Sequence, residues 1–175
     1  MTLAAKSLLL IAVLGLAACN NPDRYGAGGA GGAGGAGGAG GIDTTGLGDP
    51  SNPTSIAYFN QTVGDRVLFA IDQSTLSPEG RGILTAQANW LNQNTGYAAI
   101  IEGHADEQGT REYNLALGAR RAAAVQNFLI SQGVAANRLR TISYGKERPL
   151  EICSEEACYA KNRRAVTVLS AGAGV

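Results

Sequence analysis

The sequence has one histidine, three cysteines and no excess of charge of either sign. Lys and Arg number 14, Asp and Glu also number 14, and the formal net charge is +0. A balanced chain has no basic field with which to attract nucleic acid or to coat an anionic bilayer. We therefore expect no nucleic-acid partner.

The scarcity of histidine also argues against a metal site and against catalysis. Glu102, His104 and Asp106 alternate along a predicted strand, so they could share one face and imitate a hydrolase or metal centre. A metal there would have a single nitrogen ligand, and no serine or cysteine has an identifiable base. The sequence predicts neither an enzyme nor a metal-binding protein.

The N-terminal apolar run, Leu8 to Ala18, is roughly half of the ~20 residues that a membrane-spanning helix needs. It follows Lys6 and ends in Leu16-Ala17-Ala18-Cys19, which resembles the bacterial lipobox. We predict that residues 1–18 are a cleaved signal peptide and that Cys19 carries a covalent lipid, with no other cofactor. An ordinary secretory signal with a chance cysteine is the alternative.

The residue after the lipobox bears on the destination of the chain. Asn20 stands where an aspartate often retains lipoproteins at the inner membrane. We therefore expect the lipid to lie in the outer membrane and the folded part to lie in the periplasm.

Residues 26–41 are little more than Gly-Gly-Ala repeats, which have no side chains to bury. With the polar segment that follows, we predict that residues 19–60 form a lipidated, disordered linker, and a coil of about 40 residues spans ~35 Å. A polyglycine helix packed on a partner is the alternative. One folded domain is predicted over residues 61–171, with a tail at 172–175.

Strand and helix patterns alternate through the folded part. Ser77 reads as an N-cap followed by Pro78, Thr110 opens a second and longer helix, and Gly133 ends it. An apolar stripe on this second helix comprises Leu115, Gly118, Ala122, Val125 and Leu129. Strands are predicted at 66–71, 97–101, 138–144 and 165–170. This order favours an α+β sandwich with the helices packed on one face of a four-stranded sheet.

Cys153 and Cys158 remain as an even pair once Cys19 is assigned to the lipid. In an oxidising compartment we predict a disulfide between them, which would close a small loop before the last strand. Two buried thiols and a metal pair are the alternatives.

Three segments together resemble a known family: Glu102 to Ala122, Ser143 to Pro149 and Asn162 to Val166. They are similar to the peptidoglycan-associated lipoproteins, within the group that shares the OmpA-like C-terminal domain. The resemblance implies a β-α-β-α-β-β sandwich that binds the meso-diaminopimelate of the peptidoglycan stem peptide. It also implies a place in the Tol–Pal system, with TolB and other Tol proteins as partners, in envelope integrity and cell division.

Diaminopimelate ends in an ammonium and a carboxylate, and a specific site must replace the hydration of both. The resemblance assigns Asp106 to the ammonium and Arg121 to the carboxylate, which a guanidinium meets with two parallel hydrogen bonds. Asn114 lies two turns before Arg121 and shares its side of the helix. A structural ion pair between Asp106 and Arg121 is the alternative. Replacing Arg121 with Ala is expected to abolish wall binding and to leave the fold nearly unchanged.

Four further residues complete the candidate site. The resemblance places Asp72 at the edge of the pocket, although Phe69-Ala70-Ile71 before it departs from the family pattern. Thr110 leaves helix amides able to meet an anion, or it serves as a cap alone. Leu115 lines the pocket or belongs to the core, and His104 donates a hydrogen bond or is structural. The candidate set is Asp72, His104, Asp106, Thr110, Asn114, Leu115 and Arg121.

Three other arginines, Arg120, Arg163 and Arg164, are assigned no ligand. The alternative function is a periplasmic adaptor that docks proteins through the surfaces of Tyr113 and Tyr144 and does not bind the wall.

Overall fold

The structure is a computed structural model that describes residues 47–152 and 154–172. Its order is α1, a π-helix, β1, α2, β2, α3, a 3-10 turn, β3, α4 and β4. The helices are α1 Ile56–Tyr58, α2 Pro78–Gln93, α3 Arg111–Ser131 and α4 Glu156–Asn162, with the π-helix at Phe59–Gly64 and the 3-10 turn at Ala136–Arg138. The strands are β1 Arg66–Leu68, β2 Tyr97–His104, β3 Leu139–Gly145 and β4 Arg164–Ala171.

The four strands form one mixed sheet in the order β1-β4-β2-β3. Strands β2 and β3 run parallel, whereas β4 is antiparallel to both β1 and β2. Core side chains of the sheet pack against α2 and α3, while Ile142 and Val168 on the other face stay 41% and 40% exposed. The predicted α+β fold with a four-stranded sheet is confirmed.

Both long helices begin at the predicted caps. The side chain of Ser77 accepts a hydrogen bond from the amide of Gly80 at 3.0 Å, and that of Thr110 accepts one from the amide of Tyr113 at 3.2 Å. Each cap satisfies an amide that the first helical turn leaves without a partner. Gly133 follows α3 with a φ of +92°, as expected of a glycine that ends a helix.

The folded part begins earlier than the predicted boundary at residue 61. Phe59 is fully buried, and its ring lies 5.0 Å from the Trp90 ring. The indole of Trp90 donates to the carbonyl of Pro53 at 2.8 Å, and the Tyr97 hydroxyl donates to the carbonyl of Thr54 at 2.8 Å. Part of the segment predicted as linker therefore belongs to the domain, because α2 and β2 present an aromatic surface that this segment covers.

Two strand ends also differ from the prediction, and both differences shape the site. Strand β1 stops at Leu68 because the chain turns after Phe69, where the amide of Gln73 donates to the carbonyl of Ala70 at 3.2 Å. Strand β2 continues past Ile101 to His104 and brings the next residues to the start of α3.

Helix α3 crosses β2 at a contact between two glycines. A Cβ added at Gly103 would lie 1.8 Å from the carbonyl oxygen of Gly118, and one added at Gly118 would lie 2.8 Å from the carbonyl oxygen of Gly103. Only glycine permits this backbone approach. The crossing fixes the height of α3 above the end of β2.

Several predictions fall outside the described residues: the signal peptide, Cys19, the glycine-rich part of the linker, Cys153 and the last three residues of the tail. Cys158 is disulfide-bonded, and its pairing with Cys153 stays a prediction. Across 47–152 and 154–172, no helix combines the length and the apolar character needed to cross a bilayer.

Candidate functional site

Three parts of the chain meet at one end of the sheet: the β1–α2 loop, the segment after β2 and the first turns of α3. They enclose a cavity of about 260 Å³. Three of the predicted site residues, Asp72, Asp106 and Asn114, line it. The other lining residues are Ile71, Gln108, Gly109, Tyr113 and Leu117.

Asp106 is held from both sides of its carboxylate. One oxygen accepts from the amide of Gln108 at 3.3 Å, and the other accepts from Nη1 of Arg163 at 3.1 Å. The residue is 9% exposed. The ion partner of Asp106 is thus Arg163, and the alternative of a structural ion pair between Asp106 and Arg121 is not observed in the described part of the chain.

Asp72 occupies the tip of the β1–α2 loop with a φ of 54°, a conformation that aspartate tolerates better than most side chains. The Tyr113 hydroxyl donates to Oδ1 of Asp72. This hydrogen bond, together with burial and the negative charge of Asp72, raises the pKa of Tyr113. Tyr113 therefore links the loop to α3 across the cavity mouth.

Arg121 lies behind the cavity and is fully buried. Its guanidinium donates to three backbone carbonyls: Nε to Gln73 at 2.8 Å, Nη1 to His104 at 2.8 Å and Nη2 to Ala70 at 3.1 Å. Burial lowers the pKa of Arg121 to about 10, and the charge of Asp106 opposes this shift. Arg121 remains a cation that ties the β1–α2 loop to the end of β2.

This position changes what a substitution of Arg121 is expected to do. Direct contact between its guanidinium and a ligand carboxylate would require the Ala70–Gln73 loop to move. Removing the side chain would leave buried carbonyls without a donor. We therefore expect Arg121→Ala to destabilise the fold, in contrast to the prediction from the sequence.

Leu117, and not Leu115, is the leucine at the cavity. Leu115 is 49% exposed, so it belongs neither to the core nor to the residues lining the cavity. Asn114, Leu117 and Arg121 follow one another at intervals of three and four and share the inner face of α3. That spacing was the signal in the sequence that could have identified Leu117.

The remaining predicted residues lie close to the cavity without lining it. Thr110 caps α3, and the amides of Arg111 and Glu112 have no hydrogen-bond partner among the described residues. His104 is 2% exposed, with its ring 5.6 Å from the Tyr144 ring. Neither of its ring nitrogens has a hydrogen-bond partner within the described chain.

The electrostatic surroundings keep the His104 ring neutral. Burial lowers the pKa of His104 to about 4, and the positive charges of Arg164 and Arg148 act in the same direction. Nε2 lies 3.6 Å from a carboxylate oxygen of Glu102, beyond hydrogen-bond length. His104 is placed to support the β2 end structurally, through its carbonyl bond to Arg121.

The side chains that line the cavity include two carboxylates and no lysine or arginine. The carboxylates suit a cationic group such as an ammonium. A larger cavity, of about 430 Å³, is lined by residues of β1, of α2 and of the region before β4, among them Leu68, Ile83 and Leu150. It contains none of the candidate residues, and we assign it no ligand. Within the described ranges no three His, Cys, Asp or Glu side chains cluster as metal ligands.

Comparison with known proteins agrees with this fold. Residues 68–163 match the model of the OmpA family. The chain is 56% identical over 124 residues to a peptidoglycan-associated lipoprotein of Mesorhizobium japonicum, covering 71% of this chain and 73% of the relative. It is 39% identical over 162 residues to the Haemophilus influenzae protein of the same name, covering 92% and 95% respectively.

Solved structures show the same architecture. The crystal structure of the peptidoglycan-associated lipoprotein from Burkholderia pseudomallei matches with a TM-score of 0.62 and 35% identity, over 70% of this chain and 100% of that one. The C-terminal domain of Helicobacter pylori MotB matches with a TM-score of 0.57 and 22% identity, over 61% and 84%, which is a likeness of fold alone.

The chain therefore belongs to the OmpA family. The relatives that share most of its length are named as peptidoglycan-associated lipoproteins.

Proposed function

We propose that this chain is an outer-membrane lipoprotein that binds peptidoglycan non-covalently through the diaminopimelate of the stem peptide. In this way it tethers the outer membrane to the cell wall, as part of the Tol–Pal system in envelope integrity and cell division. The observation that carries the proposal is a cavity with two positioned carboxylates and no basic lining residue, in a chain whose relatives are named for peptidoglycan.

The ammonium of the ligand is bound by Asp72 and Asp106. Both carboxylates line the cavity, and each is fixed by hydrogen bonds from neighbouring elements. Oxygens that are already oriented lose little freedom when they accept from an ammonium, and charge-assisted bonds of this type are the strong ones. The two acids therefore give the site its preference for an amine.

The ligand carboxylate is oriented toward the start of α3. The amides of Arg111 and Glu112 lie at the positive end of the helix. The charge of Arg121 acts from behind the cavity wall, close enough to interact with Asp72 and Asp106. The role that we propose for Arg121 is to hold the loop and to balance the acids, and a direct bond to the carboxylate remains the sequence-based prediction.

The tether has two ends. The lipid predicted on Cys19 anchors the chain, and the predicted glycine-rich linker spans a variable gap to the wall. Many copies anchored in one membrane bind a continuous wall at high effective concentration, so each contact can be individually weak. TolB and other Tol proteins are the proposed protein partners, on the basis of family membership.

The test is co-sedimentation of the purified full chain, in detergent, with isolated peptidoglycan sacculi. The expected result is that the wild type sediments with the sacculi and that Asp106→Asn and Asp72→Asn each weaken binding by about tenfold or more. Asp49→Asn is the matched control, because Asp49 is exposed and lies outside the cavity.

The other outcomes separate the alternatives. An adaptor without wall binding stays in the supernatant, and an enzyme releases soluble wall fragments. Equal sedimentation of the Asp106 and Asp49 variants would contradict the assignment of the cavity.

A further inference from the structure

The segment Asn162-Arg163-Arg164 joins α4 to β4, and its three side chains are buried. Asn162 holds the preceding connection: its side-chain oxygen accepts from the amide of Leu150 at 2.7 Å, and its Nδ2 donates to the carbonyl of Glu151 at 2.8 Å. Arg164 donates to the carbonyl of Arg148 at 3.3 Å. These two residues fasten the connection between β3 and α4.

Arg163 reaches in a different direction, into the site. Its guanidinium donates to Oδ2 of Asp106 at 3.1 Å and to the carbonyl of Phe69 at 3.2 Å. Its own carbonyl accepts from the amide of Phe69 at 2.9 Å. Arg163 thus holds both the residue that precedes the Asp72 turn and the carboxylate on the far side of the cavity.

The outer end of the Arg163 side chain is balanced by Glu156, which lies in the first turn of α4 and pairs with Nη1 and Nη2. The Glu156 side chain is 61% exposed, whereas that of Arg163 is 5% exposed. An arginine presents five donors around a rigid planar fork, so it can reach acceptors on different sides at once, whereas a lysine offers its donors from a single nitrogen.

From this geometry we infer that Arg163 is a positioning residue for ligand binding: it orients Asp106 and fixes the β1–α2 loop that carries Asp72. Arg163 does not line the cavity and touches no ligand, so it acts through these two acids. The inference rests on the proposed function, because it assumes that the cavity binds the amine.

Without Arg163, the Asp106 carboxylate keeps only the amide of Gln108 and is free to rotate. The Phe69 carbonyl also loses its side-chain donor, so the Asp72 loop is less firmly held. A site that must order its own acids upon binding is weaker than one in which they are pre-ordered.

The experiment titrates the full chain, in detergent, with free meso-diaminopimelate at fixed pH and ionic strength. We expect Arg163→Gln to weaken binding by at least about tenfold. Arg164→Gln is the matched control, since it removes a neighbouring buried arginine that does not contact Asp106, and it should bind as the wild type does. Glu156→Gln, which leaves the bond between Arg163 and Asp106 in place, should stay within about threefold.

A double-mutant cycle separates positioning from a general loss of structure. Because Arg163 acts partly through Asp106, the change Arg163→Gln should weaken binding by less in the Asp106→Asn background than in the wild type, and the remaining loss reports its hold on the Asp72 loop. If the Arg163→Gln chain does not fold, the titration uses Arg163→Lys in its place, with Arg164→Lys as the control. The Arg163→Lys chain should then bind diaminopimelate more weakly than the Arg164→Lys chain.

The inference is overturned if the Arg163 variant binds as its Arg164 control does, or if the loss is the same in both Asp106 backgrounds. Failure of the wild-type chain to bind diaminopimelate would instead overturn the proposed function, and the inference with it.

Discussion

The close contact between Gly103 and Gly118 predicts that a larger residue at position 103 destabilises the fold. The substitution Gly103→Ala would place its new Cβ 1.8 Å from the Gly118 carbonyl oxygen. Real Cβ atoms essentially never approach another heavy atom more closely than 3.0 Å. The obstructing atom is backbone, so no side chain can rotate away. Helix α3 and strand β2 must move apart by roughly 1 Å.

A displacement of this size weakens the packing of a whole helix face. Ala122, Val125 and Leu129 of α3 are at most 1% exposed, and a gap of 0.5–1 Å forfeits a quarter to a half of each contact. We expect Gly103→Ala to lower the free energy of unfolding by about 3 kcal/mol or more. For a domain of this size that corresponds to a Tm lower by roughly 10 °C.

Urea denaturation measures the effect through the fluorescence of Trp90, the only tryptophan, which is buried between Phe59 and Tyr97. Gly82→Ala is the matched control. Gly82 lies within α2, and an added Cβ there meets nothing within 4 Å. It should raise the free energy of unfolding by about 0.5–1 kcal/mol. Equal stabilities of the two variants would refute the argument.

Three further predictions follow from buried side chains. Arg121→Met should lower the free energy of unfolding by about 3–5 kcal/mol, because three carbonyls lose a charged donor. Its control in the same denaturation assay is Arg120→Met, at an exposed neighbour, which should change the free energy of unfolding by less than about 0.5 kcal/mol. A similar small loss for both variants would contradict the burial of Arg121. Phe59→Ala should lower it by about 3–5 kcal/mol, a result that a domain beginning at residue 61 could not give. His104, the only histidine, has a pKa of about 4 in the folded chain and about 6.5 in the unfolded chain. Its contribution to the free energy of unfolding is therefore fully present above about pH 6.5, and up to about 3 kcal/mol is lost as the pH drops toward 4. His104→Asn should flatten the pH 6.5–5 part of this stability profile, and an unchanged slope would show that His104 does not cause it.

Local patterns in the sequence predicted much of the fold and part of the site. The caps at Ser77 and Thr110 depend on neighbouring residues, and the structure has both helices starting there. Asp106 and Asn114 were placed at the site by a motif within one contiguous stretch, and both line the cavity. Leu115 was misplaced although the periodicity of α3 held the information, since Asn114 and Arg121 define the inner face.

Other features depend on residues far apart in the chain. Arg163 is 57 positions from the Asp106 that it orients, and no local pattern reveals such a partner. Arg121 was expected to face the ligand because an arginine fork fits a carboxylate, but the same fork also fits the carbonyls of a tight loop. The residues before 61 were polar enough to read as linker, and their contacts appear only once Trp90 and Tyr97 are placed in space.

The most direct test of the central claim is a titration of the isotopically labelled full chain with meso-diaminopimelate, followed through its backbone amide resonances. The account predicts saturable shifts confined to residues 71–73 and 106–117, and their loss in Asp106→Asn but not in Asp49→Asn. Shifts centred elsewhere, or an Asp106→Asn chain that binds as tightly as the wild type, would contradict it.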